Sequence, residues 1–253
     1  MRKIQKSINS ITISLTAIFA FAVWNTLNFD RYALIDTFNM PPVVFSALGY
    51  LTGAVFSCGF FILINKVVYA ILNRSPRIKK RLLGSAYFEG KWGGGYFYTD
   101  GFRILITTVT QDLDDSNDAK ISGNVYSVGG QSLGSMTYRS VRFDCESLDY
   151  YSAYTARSRH REYLMNGTVY GKYEVDQDNQ PRKVDVYAYQ ANVPGKQHFI
   201  NFRLPPEFNN SDDAEILRYM IEDNFENTNE SLLIRLQTLL RQQEASQENA
   251  PQG

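Results

Sequence analysis

Cysteine and histidine are scarce in this chain: its 253 residues include two cysteines, Cys58 and Cys145, and two histidines, His160 and His198. Two cysteines exclude a disulfide-dense secreted scaffold and a cysteine-based zinc finger. Two histidines leave little for a histidine-rich metal centre. We therefore expect no metal site.

Recognisable catalytic motifs are also missing. The run Gly93-Gly94-Gly95 is not followed by the Gly-Lys-Ser/Thr of a phosphate-binding loop, and neither histidine belongs to an HExxH or Gly-x-Ser-x-Gly pattern. Paired carboxylates such as Asp114 and Asp115 lie in a turn, where solvation explains them. A serine, a histidine and an aspartate distant in sequence could still meet in space. We expect no catalytic residues, no cofactor and no enzymatic activity.

The net charge of zero hides an uneven distribution. Residues 1–86 contain ten Lys/Arg against two Asp/Glu, and the remainder contains sixteen against twenty-four. Such an asymmetry is typical of chains that contact a membrane or nucleic acid. The middle segment, 87–209, has thirteen basic and fifteen acidic residues. It therefore lacks the surplus of positive charge that a long nucleic acid requires.

Charges are absent from two long apolar runs near the N-terminus, residues 7–29 and 37–65. About 20 apolar residues cross a hydrocarbon core roughly 30 Å thick, and a helix satisfies its own backbone there. The sequence predicts transmembrane helices at about 9–28 and 43–65, within a membrane anchor that covers residues 1–73.

Basic residues flank both predicted helices on their outer ends. Three precede the first helix, and five follow the second: Arg74, Arg77, Lys79, Lys80 and Arg81. The positive-inside rule then places both termini in the cytoplasm. An alternative for the first helix is a cleaved signal peptide, since Ala20-Phe21-Ala22 resembles a cleavage site.

Small residues recur along one face of the second helix, at Gly49, Gly53 and Ser57. Such a stripe lets helix backbones approach closely in lipid. It would serve either association between chains or packing against the first helix of the same chain. These three residues are our candidates for oligomerisation.

Beyond a basic linker at 74–86, the apolar pattern becomes alternating and rich in tyrosine. Turn signals containing Gly, Asp, Asn and Pro separate seven strand candidates: 87–98, 102–110, 120–128, 136–144, 162–175, 182–190 and 197–204. Residues 150–161 fit either a helix or an irregular strand. The pattern predicts an all-β domain over 87–209, either a sandwich or a lipocalin-like up-and-down barrel of about eight antiparallel strands; we favour the barrel.

The segment 210–253 has nine acidic and three basic residues. Ser211 is a plausible N-cap, and apolar residues then recur at helical spacing from Ile216 and again from Leu232. We predict two amphipathic helices, broken near 227–229, and a disordered end. They are expected to pack against the barrel or against another chain.

Aromatic and arginine side chains are interleaved along the predicted strands. Aromatic faces stack on nucleobases, and guanidinium groups hold phosphate oxygens. Trp92 could instead plug one end of the barrel, and any single arginine could be an ordinary surface residue. The candidate ligand-binding residues are Trp92, Tyr96, Tyr98, Arg103, Tyr138, Arg139 and Arg142.

Two apolar helices with cytoplasmic ends, a basic linker and an aromatic-rich barrel that opens on Gly90-Lys91-Trp92-Gly93-Gly94 occur here in that order. This order resembles the two-transmembrane β-barrel effectors of bacterial CBASS anti-phage defence, the CD-NTase-associated membrane proteins. The resemblance covers roughly residues 8–205, and the acidic helical tail is an addition to that pattern.

The resemblance implies that the barrel binds a cyclic dinucleotide made by a partner nucleotidyltransferase. Binding would drive self-association of the membrane helices and disrupt the bacterial inner membrane. Two other functions fit the residues: a membrane-tethered module that binds a lipid or another apolar ligand, and a scaffold that binds a protein partner.

Overall fold

The computed structural model describes residues 2–26, 41–99, 101–113, 118–159, 164–191, 196–223, 225 and 230–248. The chain divides into two compact units, Met1–Leu82 and Leu83–Gly253. The first is helical, and the second contains a β-barrel with helices packed on its wall.

The described residues of the first unit contain three helices: α1 (Arg2–Thr26), α2 (Pro42–Arg74) and α3 (Pro76–Leu83). Helix α2 ends at Arg74 because Pro76 disfavours a helical conformation for Ser75, which is extended at φ −105° and ψ 104°. The segment 74–86, which we expected to be a linker, is therefore mostly helical. It contains α3 and a 3₁₀ turn at Gly84–Ala86.

Helices α1 and α2 pack against each other in an antiparallel arrangement. The rings of Phe19 and Phe60 stack with centroids 4.4 Å apart, and the Tyr69 hydroxyl donates to Asn9 Oδ1 at 3.2 Å. Thr12 and Thr16 are buried, and their hydroxyls donate to main-chain carbonyls one turn earlier. Polar groups therefore lie inside the hairpin and are hydrogen-bonded.

One segment of the described chain, Val55–Arg74 of α2, is both long and apolar enough to cross a membrane. The helix that we expected at 43–65 thus continues to Arg74 and includes Lys66. Of the two predicted spans, the described residues support this one. Gly49 and Gly53 lie on α2 in a stretch whose side-chain environment is outside the described residues, so the oligomerisation stripe stays a prediction.

The barrel consists of eight antiparallel strands, as the sequence predicted, and the prediction of a closed barrel is confirmed. Each strand pairs with the next along the chain, and β8 pairs with β1. The strands are β1 (Gly90–Tyr98), β2 (Gly101–Thr110), β3 (Lys120–Ser127), β4 (Ser132–Asp144), β5 (Asp149–Ser158), β6 (Leu164–Val175), β7 (Pro181–Gln190) and β8 (Lys196–Arg203).

Closure between β1 and β8 depends on the glycine run. Gly94 lies opposite Asn201, and a Cβ at Gly94 would collide with the Asn201 side chain and lie 2.5 Å from the Ile200 carbonyl oxygen. A residue without a side chain is therefore required where the first and last strands meet.

The acidic tail packs on the outer wall of the barrel. It contains a 3₁₀ turn (Pro206–Asn210), α4 (Asp213–Glu222) and α5 (Leu232–Glu248). Its apolar residues, including Ile216, Met220 and Leu236, form a core with outward side chains of β2 and β8. The N-cap of α4 is Asp212, which accepts from Glu215 N, and not Ser211 as we expected.

Some of the acidic charge in the tail has a structural role. The Asp213 carboxylate accepts from the Tyr126 hydroxyl at 2.7 Å and from Asn124 Nδ2 at 2.8 Å. Its other oxygen lies 3.6 Å from Lys91 Nζ. These contacts tie the first turn of α4 to β1 and β3. The Gln-, Glu- and Ala-rich end after Leu240 was predicted to be disordered, but α5 continues through it to Glu248; residues 249–253 lie outside the described residues.

Candidate ligand site at the open end of the barrel

The two ends of the barrel differ in how they are filled. At one end, the segment that leads into β1 folds across the opening. Phe88 stacks on Trp92 and Phe143, with centroids 5.4 and 4.4 Å apart, and meets the edge of Tyr173 at 4.9 Å. Trp92 is 2% exposed. We call this the closed end.

Polar side chains fix that lead-in segment at the closed end. The buried amide of Gln111 accepts from the main-chain N–H groups of Phe88 and Glu89 and donates to the carbonyls of Ala86 and Asp118. The Trp92 indole N–H donates to the Phe88 carbonyl at 2.9 Å. The backbone of the lead-in segment is thus hydrogen-bonded without help from solvent.

Arg203, near the end of β8, completes this arrangement. Its guanidinium donates to the carbonyls of Tyr87 and Glu89 and lies 5.0 Å from the Tyr87 ring centre and 5.9 Å from that of Trp92. The sequence left two interpretations of Trp92, a ligand contact and a plug for one end of the barrel, and the structure supports the plug.

The opposite end, where β1 joins β2 and β7 joins β8, holds a cavity of about 250 Å³. We call this the mouth cavity. All eight strands contribute to its wall. Its lining residues include Tyr96, Tyr98, Arg103, Val125, Leu133, Ser135, Met136, Tyr154, Arg157, Ser158, Met165, Gln190, Gln197 and Phe199.

Aromatic rings and one guanidinium dominate part of this wall. Tyr96 and Phe199 pack together with ring centroids 4.4 Å apart. The Arg103 guanidinium carbon lies 3.9 Å from the centre of the Tyr98 ring, a distance at which cation–π attraction is effective. The ring therefore holds the cation against the wall of the cavity.

The charge of the mouth cavity is one-sided. Among the described residues that line it, Arg103 and Arg157 are basic and none is acidic. Burial, with a smaller opposing effect from a hydrogen bond to Gln190, raises the pKa of Tyr154. That phenol is neutral at physiological pH. The lining suits a ligand that carries negative charge and a planar apolar face.

The structure brings three of the seven predicted ligand residues together in the mouth cavity: Tyr96, Tyr98 and Arg103. Trp92 and Tyr138 also point inward, but they border a separate void of about 30 Å³ toward the closed end. Burial raises the pKa of Tyr138, and the nearby phenols of Tyr154 and Tyr96 raise it further.

The other two predicted residues, Arg139 and Arg142, lie on the outside of the barrel. Strand alternation alone would turn one of them inward, because their positions are an odd number of residues apart. A bulge shifts the pairing of β4 with β5 between these two residues, and Ser140 within it has φ 56°. Tyr138 and Val141 are both buried as a result, and both arginines are exposed.

Arg142 borders an outer groove of about 370 Å³, together with Tyr151, Tyr170 and Tyr189. Its guanidinium lies 3.9 Å from the Asp118 carboxylate. The structure therefore separates Arg139 and Arg142 from the mouth cavity.

Several residues of the mouth cavity were not predicted. Tyr154 belongs to β5, a segment whose sequence fitted either a helix or a strand, so the inward parity of Tyr154 was not evident. Gln190 is the last residue of β7, and Gln197 and Phe199 lie in the first half of β8. The alternation of Ile200, Phe202 and Leu204 in the sequence would have placed Phe199 on the outer face, because nothing in the sequence shows that those three side chains pack outward against the tail.

The described residues contain no group of three or more His, Cys, Asp or Glu side chains arranged to hold a metal ion. His198 lies on the outer surface, with Nε2 3.5 Å from an Asp185 oxygen. His160 is outside the described residues.

Comparison with known proteins assigns neither a family nor a function. No protein-family model and no curated protein matches the sequence. Among solved structures, the chain is similar to a de novo designed fluorescence-activating β-barrel, with 20% identity and a TM-score of 0.29. That match covers 48% of this chain and 97% of the designed one. Nothing about the function of this chain follows from it.

Proposed function

We propose that this chain is a membrane-anchored receptor whose barrel binds a cyclic dinucleotide in the mouth cavity. The observation that carries the proposal is the composition of that cavity, in which tyrosine faces and the Arg103 guanidinium meet at the open end, with Arg157 at the rim and no described acidic residue in the lining. A planar anion with an aromatic base matches this composition.

Stacking and charge pairing would each contribute to binding. A base placed against Tyr96, Tyr98 or Phe199 gains about 1–3 kcal/mol from stacking on an aromatic side chain. Arg103 is held beside Tyr98, where its guanidinium can pair with phosphate oxygens of the same ligand. A ligand that carries both an aromatic base and a phosphate gains both interactions in the one cavity.

The size of the cavity limits how the ligand enters. At about 250 Å³, it is slightly smaller than the pockets of roughly 300–1,000 Å³ that enclose drug-sized molecules. One base and its phosphate would enter, and the second half of a cyclic dinucleotide would lie at the rim, which Arg157 and Ser158 border.

The helical unit is proposed as the membrane-disrupting part, with α1 as well as α2 spanning the bilayer. Large apolar side chains point away from the hairpin on both helices: Ile18 is 67% exposed and Phe56 is 71% exposed. The hairpin thus exposes apolar surface and keeps its hydrogen-bonded threonines inside. This arrangement suits a lipid environment.

Ligand control requires that the bound barrel favour association of the membrane helices more than the free barrel does. The stripe Gly49, Gly53 and Ser57 is the proposed contact between copies. By the resemblance, the ligand comes from a cognate nucleotidyltransferase during phage infection. Disruption of the bacterial inner membrane then kills the cell and thereby ends the infection. In this proposal, both termini of the chain lie in the cytoplasm.

Calorimetry on the full chain in detergent tests the receptor part of this proposal. The titrants are a panel of cyclic dinucleotides that contains purine, pyrimidine and mixed members. Saturable binding of at least one member is expected, with linear dinucleotides binding more weakly. The absence of binding across the whole panel would contradict the proposal.

One observation favours a second candidate, a lipid or another apolar ligand. Val125, Leu133, Met136 and Met165 also line the mouth cavity. Native mass spectrometry distinguishes the two, because a bound lipid would remain with the protein through purification and would not be displaced by a nucleotide.

A further inference from the structure

The short helix α3 concentrates positive charge directly after the apolar segment of α2. Residues 74–81 contain Arg74, Arg77, Lys79, Lys80 and Arg81. No acidic residue occurs between Asp36 and Glu89. This part of the chain therefore has a strong local surplus of positive charge that no neighbour in sequence offsets.

Most of this charge is displayed at the surface. Arg74, Arg77, Lys80 and Arg81 are exposed, and Lys79 is buried. Arg77, Lys80 and Arg81 stand at positions i, i+3 and i+4, so they share one face of α3. Ile78, beside them, is 37% exposed. The exposed face thus combines three cations with one apolar side chain.

The position of this face matches the depth of lipid headgroups. The apolar segment Val55–Arg74 is 20 residues long, about the length that crosses the hydrocarbon core. Only Ser75 separates its last residue from α3. The cations of α3 therefore begin where the hydrocarbon core ends and the phosphates of a bilayer begin.

We propose that α3 binds anionic phospholipid headgroups on the cytoplasmic surface. Arg77, Lys80 and Arg81 hold the headgroup phosphates, and Ile78 inserts between the acyl chains. This inference rests on the proposed function insofar as α2 spans a membrane. It adds a lipid-binding segment that lies between the anchor and the barrel in the sequence.

Charge complementarity favours anionic phospholipids as the ligand of α3. A basic residue near an anionic bilayer surface strengthens attachment by about fivefold in equilibrium constant, so the three cations together give about a hundredfold. Planar guanidinium groups pair with phosphate oxygens in two parallel hydrogen bonds, and two of the three cations are arginines.

The test uses the full chain in lipid nanodiscs, with Cys58 and Cys145 replaced by Ser and an environment-sensitive fluorophore attached through Ile78→Cys. One set of discs contains phosphatidylcholine only, and the other also contains phosphatidylglycerol. We expect blue-shifted emission in the phosphatidylglycerol discs, reversed at high salt because surface charge pairs are screened. Equal emission in both lipids would overturn the inference.

Matched variants separate charge from general surface effects. Arg77→Gln, Lys80→Gln and Arg81→Gln combined should abolish the shift. The charge-retaining combination Arg77→Lys and Arg81→Lys should keep most of it. An equal charge removal on the barrel, with Arg139→Gln, Arg142→Gln and Lys172→Gln, should leave it unchanged. A shift that survives the first combination would contradict the assignment to α3.

The native cysteines show whether the anchor itself is inserted. Cys58 lies on α2 within the apolar segment, and Cys145 lies in the turn after β4; both thiols are free and exposed. In lipid discs, a membrane-impermeant maleimide should modify Cys145 and spare Cys58. If Cys58 is protected but the fluorophore at Ile78→Cys emits equally in both lipids, the lipid-binding inference is wrong and the membrane anchor stands. Equal labelling of both thiols removes the membrane anchor and the inference with it.

Discussion

The side-chain amide of Gln111 fixes the backbone of Phe88, with Oε1 2.7 Å from the Phe88 nitrogen. Gln111 follows β2, whereas Phe88 precedes β1, so this contact joins the entry of the barrel to its second strand. Phe88 covers Trp92 from this position. One hydrogen-bonded side chain therefore holds the plug in the closed end.

Replacing Gln111 with Leu should destabilise the barrel strongly. The variant keeps a similar volume but removes the partner of four main-chain groups, of which three are buried, and each buried group left unsatisfied costs about 1–3 kcal/mol. We expect a loss of at least about 3 kcal/mol in the free energy of unfolding, measured by urea denaturation. A loss below about 1 kcal/mol would show that the amide does not hold the plug.

Replacing Gly94 with Ala should weaken the seam between β1 and β8. The added Cβ would meet the Asn201 side chain and the Ile200 carbonyl oxygen, and overpacking of this kind typically costs about 1–3 kcal/mol. Gly129→Ala is the matched control, because its nearest neighbour would be the Ser127 hydroxyl at 3.8 Å. Thermal unfolding should show a lower midpoint for the first variant only; equal midpoints would contradict the role of Gly94.

Replacing Arg103 with Gln should weaken cyclic dinucleotide binding about 10–100-fold, because a hydrogen bond to a charged group contributes about 1.5–3 kcal/mol. Arg139→Gln, on the outside of β4, should leave the affinity unchanged. Calorimetry on both variants makes the comparison. The reverse result, with loss of binding in Arg139→Gln alone, would place the site on the outer face.

Stability should fall above pH 10, where unfolded tyrosines ionise. Burial raises the pKa of Tyr138, Tyr150 and Tyr154 in the folded barrel, so the folded state binds more protons than the unfolded state in that range. Each such tyrosine lowers the free energy of unfolding by up to about 1.4 kcal/mol per pH unit, until the pH reaches the pKa of that tyrosine in the folded state.

The variant Tyr138→Phe tests this pH dependence directly. It removes one ionisable group from the interior, so the free energy of unfolding should fall less steeply with pH above 10. Tyr189→Phe, at a residue that is 47% exposed, is the matched control substitution. Parallel slopes for Tyr138→Phe and the unaltered chain would contradict the burial of the Tyr138 phenol.

Seven of the eight strands and their order followed from the sequence because alternation and turn signals are local. Trp92, Tyr96 and Tyr98 all face the barrel interior, as residues two or four positions apart in one strand should, since a strand alternates with a period of two. The strand that the sequence did not clearly predict was β5. In Tyr150-Tyr151-Ser152-Ala153-Tyr154, tyrosines occur on both faces of the strand, so the alternation that marks a strand is blurred.

The composition of the site could be predicted only in part, because it depends on long-range closure and on one bulge. The mouth cavity joins residues as distant as Tyr96 and Gln197, which meet only because β8 pairs with β1. The outward position of Arg142 follows from the bulge at Ser140, and no glycine or proline marks that position in the sequence.

The plug was also only partly predictable. Trp92 suggested a closed end, but nothing in the sequence indicated that Gln111 would supply the hydrogen bonds for the segment before β1. A buried glutamine between two strands has the same local pattern as a solvated one.

Dye release from proteoliposomes tests the central claim most directly, because it measures ligand sensing and membrane disruption together. The full chain is reconstituted in vesicles loaded with a self-quenching dye, with the barrel outside, and cyclic dinucleotides are added. We predict rapid release with one member of the panel, and release that requires about 10–100-fold more ligand for Arg103→Gln. Release that is independent of ligand, or ligand binding without release, would contradict the account.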